Sequence, residues 1–419
     1  MKCPRFRRRL VLKLALTPCL LWAFVLLVAP TDWARARLER RLANASGQPV
    51  RLAAVRLGVL GNLRLLGLEI GGDGTAPPWL RVDELRLDLN PVHLLTGCSA
   101  PKEVDARGVE LTVHRDKDGN CALLDLLNGP GRGPSDPGGT SQPVAVSLAV
   151  MGGRVRVLDD PSGTALELRE LDGRATWDGK RGTIESLKGK LNGGTLAFSG
   201  SIDCGGNVPW FEGRLQAQGV GLGAGMGALD RVVPVLDGTP AELDGTLDLD
   251  LDLRGEGTSR ADLERSLAGQ GAIALDPVAL DGSRLVAELA KVVPLPPRGR
   301  IGSIRSHFTV GEGRVASDDL TVSVARFPIV LSGWADFGGA IDYRVGAEGI
   351  ARKLPEELRA ALADVPGALD ELATLRLTGT PSAPVITLDG APVNGPGDHS
   401  AARAKLRSLS RRLLDKIQR

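Results

Sequence analysis

The side-chain spacing with the clearest chemical potential is Asp248, Asp250 and Asp252, three carboxylates on alternate positions of the stretch Leu243–Arg254. Calcium takes carboxylate oxygens, but it needs them converging around one point. Alternate strand positions set the three about 7 Å apart in a line, so the pattern reads as a solvated strand face. The residues between them, Leu247, Leu249, Leu251 and Leu253, point the other way and form an apolar strip. His93, His114, His307 and His399 are scattered with no ligand spacing. Gly219–Gly227 (GVGLGAGMG) is glycine-rich but contains neither GxGxxG nor GxxxxGK[ST], which argues against phosphate cradling. No GxSxG, HExxH or CxxC is present. The chain therefore reads as a non-enzyme that needs no cofactor and no metal.

The strip at Leu247, Leu249 and Leu251 recurs along the chain. Leu85 and Leu87 oppose Arg86 and Asp88, while Val109, Leu111 and Val113 oppose Glu110 and Thr112. In His307–Gly349, Leu320, Val322 and Val324 alternate with Thr321 and Ser323, and Ile341, Tyr343 and Val345 with Asp342 and Arg344. Period-two alternation puts one kind of side chain on each sheet face. Gly311-Glu312-Gly313, Asp318-Asp319 and Gly338-Gly339 supply turn chemistry between these runs. Ile329, Val330 and Leu331 break the alternation, which predicts a strand covered on both sides or slightly bulged.

Strands are expected at Val50–Leu57, Leu63–Ile70, Leu80–Leu89, Val104–His114, Val144–Met151, Arg154–Leu158, Leu166–Leu171, Thr183–Leu191, Thr195–Ile202 and Phe211–Gln218. Further strands follow at Leu243–Arg254, Gln270–Leu275, Leu375–Leu377 and Val385–Leu388. Helices are few: Thr31–Ser46, Ser259–Leu267 with Ser259 as N-cap and Asp262 three residues on, and Leu354–Ala373, broken near Pro366. The fold class is mainly β, an N-terminal transmembrane helix followed by an elongated, curved antiparallel sheet with a few short helices. Helices this few cannot cover such a sheet, so its apolar face must meet another sheet, its own curvature or a ligand.

Composition agrees. Gly, at 54 of 419 residues, is about twice its usual ~7% share, and aromatics make up only 3%. The net charge of +2 conceals two basic ends. Lys2, Arg5, Arg7, Arg8, Arg9 and Lys13 give +6 at one end, the last 21 residues give +6 at the other, and the body between is left at −10. An acidic body disfavours nucleic acid, and basic ends favour anionic lipid surfaces. Leu10–Ala29 is long enough to span a bilayer, with the upstream positives holding the N-terminus in the cytoplasm. The rival reading is a signal peptide cleaved after Ala34-Arg35-Ala36. Ala401–Arg419 carries Leu406, Leu409, Leu413 and Ile417 as one stripe among basic residues that include Arg411 and Arg412, which suits a helix on an anionic membrane surface. Cys98, Cys121 and Cys204 are an odd set outside the anchor, and a Cys98–Cys121 bridge stays open.

Three stretches carry a family resemblance. The first is the apolar anchor, a short helix and then Gly47-Gln48-Pro49-Val50-Arg51-Leu52. The second is Leu85–Gly97 leading into Gly108–Asn120. The third is the C-terminal unit LDGTLDLDLDLRGEG, SLAGQGAIAL, HFTVGEGRVASDDLTVS and LRLTGTPSAPVITL. Together these resemble the AsmA family of bacterial envelope proteins over most of residues 31–390. The resemblance implies a chorein-like β-groove of the bridge-type lipid-transfer kind, anchored in the inner membrane with its body in the periplasm. It also implies a part in phospholipid transport or outer-membrane biogenesis, with membrane phospholipids and envelope assembly proteins as partners. The expected organisation is a basic stub and anchor at 1–30, an N-terminal β region at 31–128 and a Gly/Pro-rich linker at 129–143. A C-terminal β region at 144–390 and a loop with a basic amphipathic helix at 391–419 complete it. A scaffold whose sheet packs wholly on itself is the alternative.

Overall fold

The computed structural model describes residues 32–57, 62–72, 77–88, 102–115, 145–159, 164–222, 245–279, 301–324, 327–346, 375–388 and 391–392. The described residues are mainly β, with two short helices. Helix α1 (Asp32–Ser46) leads into β1 (Val50–Leu57), β2 (Asn62–Ile70), β3 (Leu80–Asp88), β4 (Glu103–Arg115), β5 (Val146–Asp159), β6 (Thr164–Trp177) and β7 (Arg181–Leu191). Then come β8 (Gly194–Asp203), β9 (Trp210–Gly221), β10 (Thr246–Glu256), α2 (Arg260–Ser266), β11 (Ala268–Ala279), β12 (Ile301–Gly311) and β13 (Arg314–Val324). The last strands are β14 (Phe327–Asp336), β15 (Ile341–Val345), β16 (Arg376–Thr380), β17 (Ala383–Leu388) and β18 (Ala391–Pro392). The chain divides into two compact units, Met1–Gly189 and Lys190–Arg419. The linker expected at 129–143 falls inside the first. The anchor at 10–29, the linker, the helices at 354–373 and 401–419, Leu89, Cys98 and Cys121 lie outside the described residues.

In the first unit, β1 to β4 pair in sequence order and antiparallel, as do β5 and β6. The expectation of an all-antiparallel sheet is corrected at one joint: β4 and β5 run parallel, Val104 beside Leu148 and Val113 beside Val157. Parallel neighbours need a long connection, and residues 116–145 supply it.

One row of this unit breaks the strict alternation expected from sequence. Register sets Gly67 between Ala53 and Asp83, and Gly108 between Asp83 and Gly152. Gly67, Gly108 and Gly152 have φ of 58°, 60° and 63°, and Glu170 on β6 has 50°. A left-handed residue rotates the strand and shifts the phase of its side chains. Leu52 and Val55, three apart, are consequently both buried, and so are Leu65 and Leu68. The same device merges two expected strands into one, because Gly152 and Gly153 form a bulge inside β5.

Helix α1 lies along this unit's first strand with Leu38, Leu42 and Ala43 on the core of Val50, Leu52, Val55, Leu65, Leu68, Val82 and Ala106. It also closes the sheet edge. Glu39 Oε1 accepts the Leu52 N–H at 2.8 Å and Arg35 Nη1 donates to the Ala53 carbonyl at 3.4 Å, occupying groups that an exposed edge would offer to another strand.

In the second unit, β8 to β18 pair successively and antiparallel. Ser259 caps α2 as expected, its hydroxyl accepting the Asp262 N–H at 3.2 Å. Asp318-Asp319, expected as a turn, is instead a bulge within β13, between Ser317↔Gly333 and Leu320↔Leu331. Ile329, Val330 and Leu331 are all buried, so β14 is covered on both faces there.

Candidate functional site

The apolar strips fall on one sheet face within each unit, and their accessibility is graded. In the second unit, register aligns Val220, Leu247, Leu275, Ile304, Val322 and Ile329 across β9 to β14. Their exposures are 0, 3, 0, 0, 0 and 1%. Leu320 pairs with Leu331, which pairs with Val345, and all three are buried, as is Ile341. Leu249 and Leu251, further along β10, are half-buried. Val324 ends β13 opposite Phe327. Buried side chains of this kind are core in the present conformation and have no surface for a ligand. Tyr343, the chain's one tyrosine, belongs to this core, and burial pushes its phenol up to about 12.

The first unit differs. Leu85 and Leu87 are half-buried against the core under α1, and Leu111 is half-buried between Leu80 and Val155. Following Leu87 across the strands leads to Val104, Leu148 and Ala175, with Val146 and Trp177 in the adjoining row. Leu148 is 38% exposed and Trp177 37%. Val155, Val157, Leu166 and Leu168, on the same face, are half-buried. The apolar face thus opens as it leaves the helix. Trp177 lies beyond Leu171, where the sequence pattern was expected to end that strand, whereas Leu148 lies within the expected strand Val144–Met151 but was not among the candidates. The alternation of Ala175 and Trp177 with Arg174 and Thr176 was the available signal. Leu406, Leu409, Leu413, Ile417, Arg411 and Arg412 lie outside the described residues.

The opposite face of the second unit is polar, with an open depression of about 640 Å³ lined by Asp248, Asp250, Ala272, Ala274, Arg305 and His307 among others. Its carboxylates are committed to strand neighbours. Asp248 accepts the N–H of Gly219, a left-handed bulge residue, at 2.7 Å. Asp250 accepts from Arg214 Nη2 at 2.8 Å and Gln216 Nε2 at 3.0 Å. Asp319 accepts the His307 N–H at 2.8 Å and contacts His307 Nδ1 at 2.7 Å. Among the described residues no group of three or more His, Cys, Asp or Glu side chains is placed to hold a metal ion. Cys204 is free and exposed.

These bonds have a pH consequence. The Arg214 and Gln216 hydrogen bonds hold the Asp250 carboxyl below its ordinary 3.8. The Arg376 guanidinium does the same to Asp342. Burial pushes Asp319 upward, but the bonds from His307 and Ser317 outweigh it and leave its carboxyl low. A carboxyl depressed only in the folded state contributes stability above its unfolded pKa, and that stability is lost as pH falls through the folded value. The thermal midpoint of the chain should therefore fall as pH drops from about 4 downward. Asp342→Asn should flatten that acid limb, and an unchanged limb in the variant would show that the pair contributes nothing.

No helix among the described residues is long and apolar enough to cross a membrane. No family model, curated protein or solved structure matches the chain.

Proposed function

We propose that the chain is an envelope protein of AsmA type, held in the inner membrane by Leu10–Ala29 with its body in the periplasm. There it shelters phospholipid acyl chains on the open part of its apolar sheet face, assisting lipid transport or outer-membrane biogenesis without enzymatic chemistry. The observation that carries the reading is the face of the first unit, where Leu148 and Trp177 remain more than a third exposed beside half-buried Leu111, Val155 and Leu168. Each methylene removed from water is worth about 0.8 kcal/mol. A two-chain lipid crossing water bare would face a barrier on the order of tens of kcal/mol, and an apolar strip lowers it while the head group stays wet.

A second reading, a tethered scaffold, draws support from the second unit, whose strip from Val220 to Ile329 is already core. One experiment separates the two. A photo-activatable amino acid replacing Leu148 in the full chain in cells should capture phospholipid, whereas the same probe at the buried Val322 should not. Capture at neither position would leave the scaffold.

A further inference from the structure

On the polar face of the first unit, two rows of side chains cross the strands with opposite charge logic. In one, Arg51, Glu69, Arg81, Glu110 and Arg154 stand opposite one another in turn, with Glu167 beyond. Signs alternate, and ion pairs close at 2.6 Å for Arg81–Glu69, 3.4 Å for Arg154–Glu110 and 3.3 Å for Arg154–Glu167. In the other, Arg56 stands opposite Arg64, and Arg64 opposite Arg86. Like charges directly across a sheet are destabilising, and the neighbouring row shows that this sheet can pair its charges.

The nearby carboxylates stand on β3 and β4, away from Arg56. Glu84 sits 2.8 Å from Arg86 Nε and 3.8 Å from Arg64 Nη1, with Arg107 opposite it on β4. Asp105 stands opposite Arg86. Asp88 and Glu103 face each other one pleat further along β3 and β4, opposite Asn62 rather than an arginine on β2. Arg56 is exposed and forms no ion pair with a described residue, and the Arg64 side chain is 49% exposed. The β1–β2 end of the row is thus left positive.

That end also has a location. Glu39 meets Leu52 and Arg35 meets Ala53, so α1 runs against β1 and its first residues point toward Arg56. In the sequence, the apolar run Leu10–Ala29 immediately precedes that helix.

We infer that Arg56 and Arg64, at the β1–β2 end of this row, form a docking surface for an anionic lipid bilayer, their guanidiniums meeting head-group phosphates where the first unit leaves the membrane. The inference rests on the anchored-envelope reading above. Guanidinium forks suit phosphate oxygens, and neighbouring strands space the two side chains about 4.8 Å apart. The lipid phosphates supply the negative charge that the protein withholds from the β1–β2 end of this row.

The test uses the full chain in neutral detergent micelles, titrated with phosphatidylglycerol, phosphatidylcholine or inorganic phosphate. Phosphatidylglycerol should raise the thermal midpoint saturably, and the other two should not. In Arg56→Gln/Arg64→Gln the apparent affinity for phosphatidylglycerol should fall about thirtyfold, equivalent to about 2 kcal/mol, as expected for two basic residues at an anionic surface. The lipid-free midpoint of that variant should equal or exceed the parent's, because a repulsion has been removed. Arg81→Gln, from the alternating row, should keep the parent's affinity. Unchanged affinity in the double variant would overturn the proposal, and so would an equal loss in Arg81→Gln or an equal shift with inorganic phosphate. Acyl capture at Leu148 is read in a separate experiment. Its failure removes the acyl-sheltering function and leaves this result intact.

Discussion

Replacing Val322 with aspartate is expected to unfold the second unit. Val322 is 0% exposed and sits in register between Ile304 and Ile329, themselves 0 and 1% exposed. A carboxylate placed there has no described cation in its row, and the effective penalty for burying an ion is several kcal/mol. That is comparable with the whole stability of a domain, about 5–15 kcal/mol. The measurement is circular dichroism melting with limited proteolysis of the full chain. Loss of the cooperative transition and cleavage within Lys190–Arg419 is the expected result. Leu249→Asp, at a half-buried position on β10, should cost visibly less. If Val322→Asp melted like the parent, the strip would have to be open to water or ligand, and the assignment of Val322 to a packed core would fail.

The second large effect is expected at Gly108→Ala. Gly108 has φ of 60°, and a β-carbon there would lie 2.2 Å from Asp83 Oδ2. The left-handed conformation costs an L-residue about 1–2 kcal/mol, and the exposed Asp83 side chain, whose β-carbon lies 3.0 Å away, must leave its rotamer at about 0.5–1.5 kcal/mol. At roughly 2–4 °C per kcal/mol for a chain segment of this size, the first unit should lose on the order of 10 °C in midpoint. Gly152→Ala isolates the backbone contribution, since φ is 63° but no atom lies within 4 Å of the added carbon. Its loss should be clearly smaller. Equal losses at both positions would mean that the contact with Asp83 contributes nothing.

Together these substitutions distinguish two uses of one apolar pattern. In the second unit the pattern is consumed by packing, as the row from Val220 to Ile329 shows. In the first, α1 covers the core around Leu52 and Leu65, and accessibility rises again at Leu148 and Trp177. The acyl-sheltering reading accordingly shifts from the candidates on β10 and β13 toward β5 and β6.

Much of the architecture was legible in the sequence because it is local. Alternation of Leu with Asp in Leu247–Asp252 dictates a strand with two unlike faces. Ser259 and Asp262 announced α2 by the same kind of short-range chemistry. Three apolar residues in succession at Ile329–Leu331 foretold burial on both faces. The left-handed row was not legible. Gly67, Gly108 and Gly152 are far apart in sequence, and only pairing shows that they share a line.

The sequence alone determined that this chain is mainly β and that each strand has one greasy and one polar side, because side-chain alternation is a property of neighbouring residues. Tertiary structure decided which greasy sides are core and which stay partly accessible. Val322 and Leu148 have similar local patterns, yet one is 0% and the other 38% exposed. The difference comes from what packs above each strand, and covering is a relation between distant segments that no local pattern encodes. Tertiary structure likewise decided that Arg56, Arg64 and Arg86 form a row, because register between strands, and not position in the chain, sets which charges meet.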